Sequence, residues 1–176
     1  QIRSPKMSNM PLVSIVSVFY NRASVVSKSV KSLVDQSYKN LEIILVDDGS
    51  TDNTLIELKK FSSFKNVNVI SLRNDGFVNA INHAISISNG KYVAVHGSGD
   101  LSHKKRISLQ VDALNNHKEL GLVACKSMFI NTSNSRTYIK GIPRYANYKY
   151  LLLKSNYFHH GEVMFRKAAY EKAGEY

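Results

Sequence analysis

The stretch that most constrains this chain is Leu41-Glu42-Ile43-Ile44-Leu45-Val46-Asp47-Asp48-Gly49-Ser50-Thr51-Asp52. Its apolar run, Ile43 to Val46, stops at two adjacent carboxylates, a glycine and a hydroxyl-rich turn. A short apolar run bounded by turn residues predicts a strand buried on both faces, as in parallel sheets. Such sheets bind ligands in the crevice beyond the carboxyl ends of their strands, where Asp47 and Asp48 fall. Gly49 suits a sharp exit, and Ser50 or Asp52 suits the cap of a following helix. One acid is then expected to serve the turn and the other a ligand.

The flanking sequence repeats the pattern. Leu12 to Val18 is a β-branched run, followed by Val26, Val30, Leu33 and Val34 at helical spacing, which predicts a helix over 23–36. A helix over 52–61, a strand over 67–72, a turn at 73–76 and a helix carrying Val78, Ile81 and Ile85 follow. Asn89-Gly90 is expected to close that helix, with the glycine in a left-handed C-cap. Lys91 to Val95 predicts another strand, Ile107, Val111 and Leu114 a helix, and Leu120 to Cys125 a strand. Strand and helix in strict alternation predict an α/β fold, with helices on both faces of a mostly parallel sheet. Right-handed crossovers gather the strand ends on one edge, and with them three polar clusters, 19–22, 47–52 and 96–100. Beyond Lys126 the pattern weakens to a hairpin around Asn131 to Ser135. A tyrosine- and lysine-bearing stretch from Arg144 to Lys154 follows, then a final segment ending in a short helix before Gly174.

With 176 residues the chain has the length of one domain. Residues 1–10 read as an N-terminal tail or cloning remnant, and 11–176 as the folded unit. The single Cys125 excludes an intrachain disulfide. No signal peptide or spanning apolar run is visible, so a cytoplasmic location is expected, extending to the inner face of the membrane. The net charge is +11, and residues 101–176 carry 13 Lys/Arg against 5 Asp/Glu. That half calls for an acidic partner: ligand phosphates, an anionic membrane or nucleic acid.

Two nucleotide folds are excluded by what is missing. The turn after the first strand, Phe19-Tyr20-Asn21-Arg22, has no glycine-rich dinucleotide loop, and no P-loop is present. A bound diphosphate therefore needs side-chain cations or a metal. Asp100 is the natural ligand for Mg²⁺ or Mn²⁺ bridging phosphates.

These motifs, in this order, resemble the family-two glycosyltransferases, which have the GT-A fold. Pro11 to Arg22 is similar to their opening strand, and Leu41 to Asp52 to their best-known signature. Asn89-Gly90-Lys91-Tyr92-Val93-Ala94-Val95 resembles the strand leading to their Asp-x-Asp metal motif, and His160 to Tyr176 a later segment of bacterial polysaccharide transferases. The resemblance implies inverting transfer of a sugar from a nucleotide-diphosphate donor, a UDP-sugar being favoured, to a glycan or lipid-linked acceptor. In the 144–154 stretch, aromatic faces and cations suit sugar stacking or a peripheral contact with an anionic membrane, although an ordinary amphipathic helix is the simpler reading of those residues.

By the same resemblance Tyr20, with Val18 and Phe19 beside it, packs on the donor's base. Asp48 accepts hydrogen bonds from the base, and Asp47 supports the ribose side or the loop. Arg73, Asp75 and Gly76 lie where the family contacts base and phosphates. The chain departs from the pattern at Gly97-Ser98-Gly99-Asp100, where Gly99 takes the place of the metal-ligating aspartate. Asp100 is left as the expected metal ligand, joined by His160 or its neighbour His159; a hydrogen-bonded histidine at the sheet edge is the alternative for either. The general base is unassigned. Glu162 is the sole acid in a suitable region, a poor candidate, and the base is expected beyond Tyr176, in a chain cut short at its C-terminus. A catalytically silent nucleotide- or glycan-binding module of the same fold is the second reading. A nucleic-acid binder ranks last, since no binding motif accompanies the charge.

Overall fold

The computed structural model describes residues 10–131, 133–140 and 159–176. The Arg144–Lys154 stretch lies outside them. Strands β1 (Val13–Phe19), β2 (Leu41–Asp48), β3 (Val67–Leu72), β4 (Tyr92–Val95) and β5 (Leu122–Ala124) alternate with helices α1 (Ala23–Val34), α2 (Thr54–Lys59), α3 (Phe77–Ser86) and α4 (Arg106–Asn116). A separate hairpin, β6 (Ser127–Ile130) with β7 (Thr137–Lys140), comes next. A 3₁₀ turn at His160–Glu162, β8 (Val163–Arg166) and helix α5 (Lys167–Ala173) complete the described elements.

The main sheet has the order β3-β2-β1-β4-β8-β5. β1 pairs in parallel with β2 and β4, and β2 with β3, while β8 runs antiparallel between β4 and β5. Alternate residues supply two cores, because successive side chains of a strand point to opposite faces. Val13, Ile15, Phe19, Ile43 and Leu45 meet Val26, Val30, Leu33, Leu58, Ile107 and Leu114 on the face of α1, α2 and α4. Val16, Val18, Ile44, Val46 and Val93 meet Ala80, Ile81, Ala84 and Ile85 of α3 on the other. Each fully buried Leu or Ile contributes about 1.5–3 kcal/mol, which fixes the strand register and hence the residues at each strand tip.

Three expectations are revised. The reversed β8 puts its amino end, and the His160–Glu162 turn before it, on the edge carrying the carboxyl ends of the parallel strands. Both acids of the central motif lie inside β2 rather than after it. Gly90 is not a left-handed C-cap: α3 ends at Ser86, and Gly90 is outside the positive-φ glycines. It is glycine because a Cβ there would stand 2.5 Å from the Ser14 backbone N and 2.6 Å from Ser14 Oγ. Ser14 Oγ accepts from Gly90 N (2.8 Å) and donates to Glu42 Oε2 (2.5 Å), so this close approach closes a hydrogen-bonded network under the sheet.

Candidate functional site

The loop after β1 is latched to the loop after β2. Asn21, in a left-handed conformation with φ 51°, accepts through Oδ1 from the backbone N of Thr51 (2.8 Å) and Asp52 (3.3 Å). Its own N–H donates to Ser50 Oγ (3.0 Å). Asp52 caps two helices: Oδ1 accepts from Thr54 N (2.9 Å) at the start of α2, and Oδ2 from Ala23 N (3.2 Å) at the start of α1. The Thr54 hydroxyl also donates to Asp52 and accepts from Arg22 N (2.7 Å). These contacts hold the Asp52 carboxyl below the ordinary range: the Thr54 hydroxyl contributes most, and backbone N–H groups add to it.

The two central acids face different surroundings. Asp47, buried on the α1 side, accepts from Ser50 N (3.3 Å) through Oδ2, and its Oδ1 has no partner. Asp48 belongs to the opposite face. Its Oδ1 accepts from Asp75 N (3.2 Å), and it lines a cleft of about 520 Å³ with Leu72, Arg73, Asn74, Asp75, Asn79 and His83. Gly49 makes this possible: it has φ 67°, and a Cβ on it would stand 2.5 Å from Asn74 N. The loops after β2 and β3 thus pack backbone to backbone beneath the cleft.

Of the other residues expected to hold a nucleotide, Val18 and Phe19 are core side chains, so only their backbone faces the edge. Tyr20 is 47% exposed and follows the Phe19–Asp47 pair as Asp48 does on the adjacent strand. It is not among the side chains lining the cleft. Gly76, with φ 88°, is the N-cap residue of α3, whose start carries no side-chain cap and opens beside Asp75. Uncapped N–H groups at a helix N-terminus favour an anion, and Arg73 adds a cation to the same cleft.

The third cluster is built around a buried arginine that sequence reasoning missed. Arg106 is 7% exposed and donates to Gln110 Oε1 (3.1 Å), Val95 O (2.9 Å) and Val163 O (3.3 Å). It therefore ties the end of β4 to the start of β8. Burial lowers its pKa, with Cys125, Asp100 and Glu162 opposing. One signal was legible: Arg106 shares a helical stripe with Gln110 and Leu114.

Beside it His96 is buried, its Nε2 within 3.1 Å of Ser29 Oγ and of Asp100 O. A carbonyl only accepts, so the Nε2 proton is assigned to the Asp100 contact, which leaves Nδ1 bare and unpartnered. Burial, reinforced by Arg106, brings the His96 pKa down to about 3. Burial pushes the Asp100 carboxyl up; Arg106 pulls it back and Glu162 adds to the rise. A Cβ on Gly161 would stand 2.9 Å from Asp100 Oδ2.

Glu162 is buried against Ser127, whose hydroxyl donates to it. A general base must reach the attacking hydroxyl, and this carboxylate is walled off. The His160 ring packs edge-on to Phe77 and tilted on Tyr176, with centroids at 5.9 and 5.1 Å. Of the two neighbouring histidines, His159 is the one that pulls the Asp100 carboxyl down. Among the described residues no group of three or more His, Cys, Asp or Glu is arranged to hold a metal ion. Gly99 has φ 96°, and a Cβ on it would meet Val25 Cγ2 at 3.1 Å, so the loop is shaped for the glycine that departs from the resembled metal motif. These residues do not fit a self-contained cation site. Among the described residues no helix is long and apolar enough to cross a membrane.

Comparison with known proteins agrees with this architecture. The model of the family described as glycosyl transferase family 2 matches residues 14–174. The Bacillus subtilis protein EpsE, named as a glycosyltransferase, is 30% identical over 169 residues, covering 93% of this chain and 59% of EpsE. An Escherichia coli protein named UDP-Glc:alpha-D-GlcNAc-diphosphoundecaprenol beta-1,3-glucosyltransferase WfaP is 36% identical over 112 residues, 62% of this chain and 43% of WfaP. The chain thus spans about half the length of these two relatives. Among solved structures, Staphylococcus aureus TarS 1–349 with UDP-GlcNAc superposes with a TM-score of 0.72 at 22% identity, over 92% of this chain and 47% of that one. The mannosyltransferase PcManGT from Pyrobaculum calidifontis, in complex with GDP-Man and Mn²⁺, gives 0.72 at 18% identity, over 98% and 49%. These likenesses establish the fold: a GT-A α/β domain.

Proposed function

We propose that this chain, which belongs to glycosyl transferase family 2, holds a nucleoside-diphosphate sugar, a UDP-sugar for preference, in the cleft at Asp48. The sugar is transferred with inversion to a glycan or lipid-linked acceptor of a bacterial surface polysaccharide. The observation that carries this reading is the position of Asp48: a buried carboxylate with one oxygen accepting from Asp75 N, at the rim of a cleft that also holds Arg73. A carboxylate accepts from the imino N–H of uracil or guanine. Arg73 and the uncapped start of α3 suit the phosphates. Asp47, by contrast, supports the turn that holds Asp48 in place, and Tyr20 offers an exposed ring at the end of the neighbouring strand. The names of relatives support the donor class: WfaP is named for UDP-Glc and a diphosphoundecaprenol acceptor, and TarS is solved with UDP-GlcNAc.

A divalent cation, Mg²⁺ or Mn²⁺, is part of the reading only as a guest of the donor's diphosphate, with Asp100 as its protein carboxylate. PcManGT with GDP-Man and Mn²⁺ supports such use in a protein of this fold. His160 is better explained by its aromatic neighbours. No general base is assigned among the described residues. The proposed setting is the cytoplasmic side of the membrane, with peripheral contact and no nucleic-acid partner.

A second reading, a binding module without transfer, is favoured by one observation: the left-handed Gly99 in place of a ligating acid. Calorimetric titration with UDP and GDP, with and without Mn²⁺, tests both. Nucleotide binding strengthened by Mn²⁺ supports the transferase; nucleotide binding indifferent to Mn²⁺ supports the silent module. No binding of either nucleotide overturns the cleft assignment.

A further inference from the structure

A chain of aromatic rings runs from the core to the surface next to the cleft. It starts at Phe165, buried at 5% exposure, stacks on Tyr170 (5.3 Å, 21°) and continues to Tyr176 (5.9 Å). From Tyr176 it passes to His160 (5.1 Å) and ends at Phe77 (5.9 Å, 85°). Two of these rings are open to solvent: Phe77 is 46% exposed, and His160 lies exposed beside it. The chain of rings is tied to α3, which carries both Phe77 and Asn82: Asn82 Oδ1 accepts from the Tyr170 hydroxyl (2.6 Å) and from Tyr176 N (3.2 Å).

Position gives this shelf a purpose. Phe77 stands two residues after Asp75, which lines the cleft, and His160 precedes Gly161, which touches the Asp100 carboxylate loop. The shelf is therefore carried by the segments that adjoin the proposed nucleotide site and Asp100. Exposed rings packed on one another mark a recognition surface. Three rings are too few for a protein interface, and the neighbours Asp75, Asn79 and Asp100 are hydrogen-bonding groups rather than apolar ones. A pyranose matches both halves: one face of C–H bonds stacks on an aromatic ring, and the hydroxyls around its rim bond polar neighbours.

We propose that Phe77, His160 and Tyr176 form a stacking shelf for a pyranose ring at the reacting edge of the sheet. The shelf deepens the transferase reading by naming a carbohydrate subsite beside the nucleotide cleft. The ring belongs either to the donor's own sugar or to the acceptor glycan, and the test separates the two.

The full chain is examined by saturation-transfer difference NMR in two arms. One contains the methyl pyranosides of glucose, galactose, mannose, N-acetylglucosamine and N-acetylgalactosamine; the other compares UDP-glucose with UDP. The variants are Phe77→Ala, His160→Ala and the milder Phe77→Leu, which keeps apolar bulk and removes the flat face. Saturation of sugar-ring protons that falls at least threefold in all three variants, with UDP affinity within twofold of the parent, is the expected result. Signal from a free pyranoside assigns the shelf to the acceptor; signal confined to the glucose of UDP-glucose assigns it to the donor. Ring-proton signals absent in both arms, or unchanged in the variants, overturn the shelf. Shelf-dependent pyranoside binding without any UDP binding would leave the shelf standing and remove the nucleotide reading.

Discussion

Acidification from pH 7 to pH 5 is expected to destabilise the fold through one side chain, His96. Its imidazole is buried and bare at Nδ1, and its pKa falls from 6.5 to about 3. The folded state therefore holds the neutral ring throughout this range, while the unfolded chain takes up a proton below 6.5. A depressed histidine pKa makes stability rise with pH between the two values, so stability is lost as pH falls from 6.5 towards 3. Linkage over the interval from pH 7 to pH 5 gives a loss of about 2 kcal/mol from this group alone. The assay is urea unfolding followed by circular dichroism at both pH values, for the parent and for His96→Gln. The glutamine cannot titrate, and its amide nitrogen takes the place of Nε2 and can still donate to Asp100 O. The parent should lose about 2 kcal/mol more than the variant on acidification, the other five histidines being common to both. Equal losses in the two proteins would refute the assignment of a neutral, Nε2-protonated His96.

Other outcomes follow from the glycines and from Asp100. Gly90→Ala should cost about 2 kcal/mol or more in the same unfolding assay, since its Cβ meets the Ser14 backbone; a loss under 0.5 kcal/mol would show that this strand crossing relaxes freely. Gly99→Asp should lower stability by about 1–2 kcal/mol, because φ 96° is retained at a cost to any side chain. An unchanged melting midpoint for Gly99→Asp would mean the loop is not fixed in that conformation. Asp100→Asn should abolish any gain in nucleotide affinity brought by Mn²⁺, and a persisting gain would assign the ion to other ligands.

Local patterns carried most of the fold and one part of the site. The run Ile43 to Val46 was legible as a buried strand because four consecutive apolar residues need both faces covered, and its polar tip pointed to the edge where the candidate cleft lies. The division between Asp47 and Asp48 was foreseeable in kind but not in detail, since the partner that engages Asp48, Asp75 N, is 27 residues away. The antiparallel insertion of β8 between β4 and β5 was not readable, because nothing local in Val163–Arg166 specifies which edges it pairs with. Arg106 followed two lysines and resembled part of a solvated basic run. Only the spacing to Gln110 and Leu114 pointed inward. Gly90 was read by turn statistics, whereas the close approach of Ser14, 76 residues earlier, decides it. His160 matched a motif position, and its aromatic neighbours Phe77 and Tyr176 come from α3 and the segment after α5.

The most direct test of the nucleotide cleft is the UDP affinity of Asp48→Ala measured against the parent by calorimetry. Removing a carboxylate that accepts from the bound base leaves that donor unpaired in a partly desolvated cleft, at a cost of about 1–3 kcal/mol. That corresponds to a Kd roughly 5- to 150-fold weaker. An Asp48→Ala protein that folds normally and binds UDP as tightly as the parent would contradict the account.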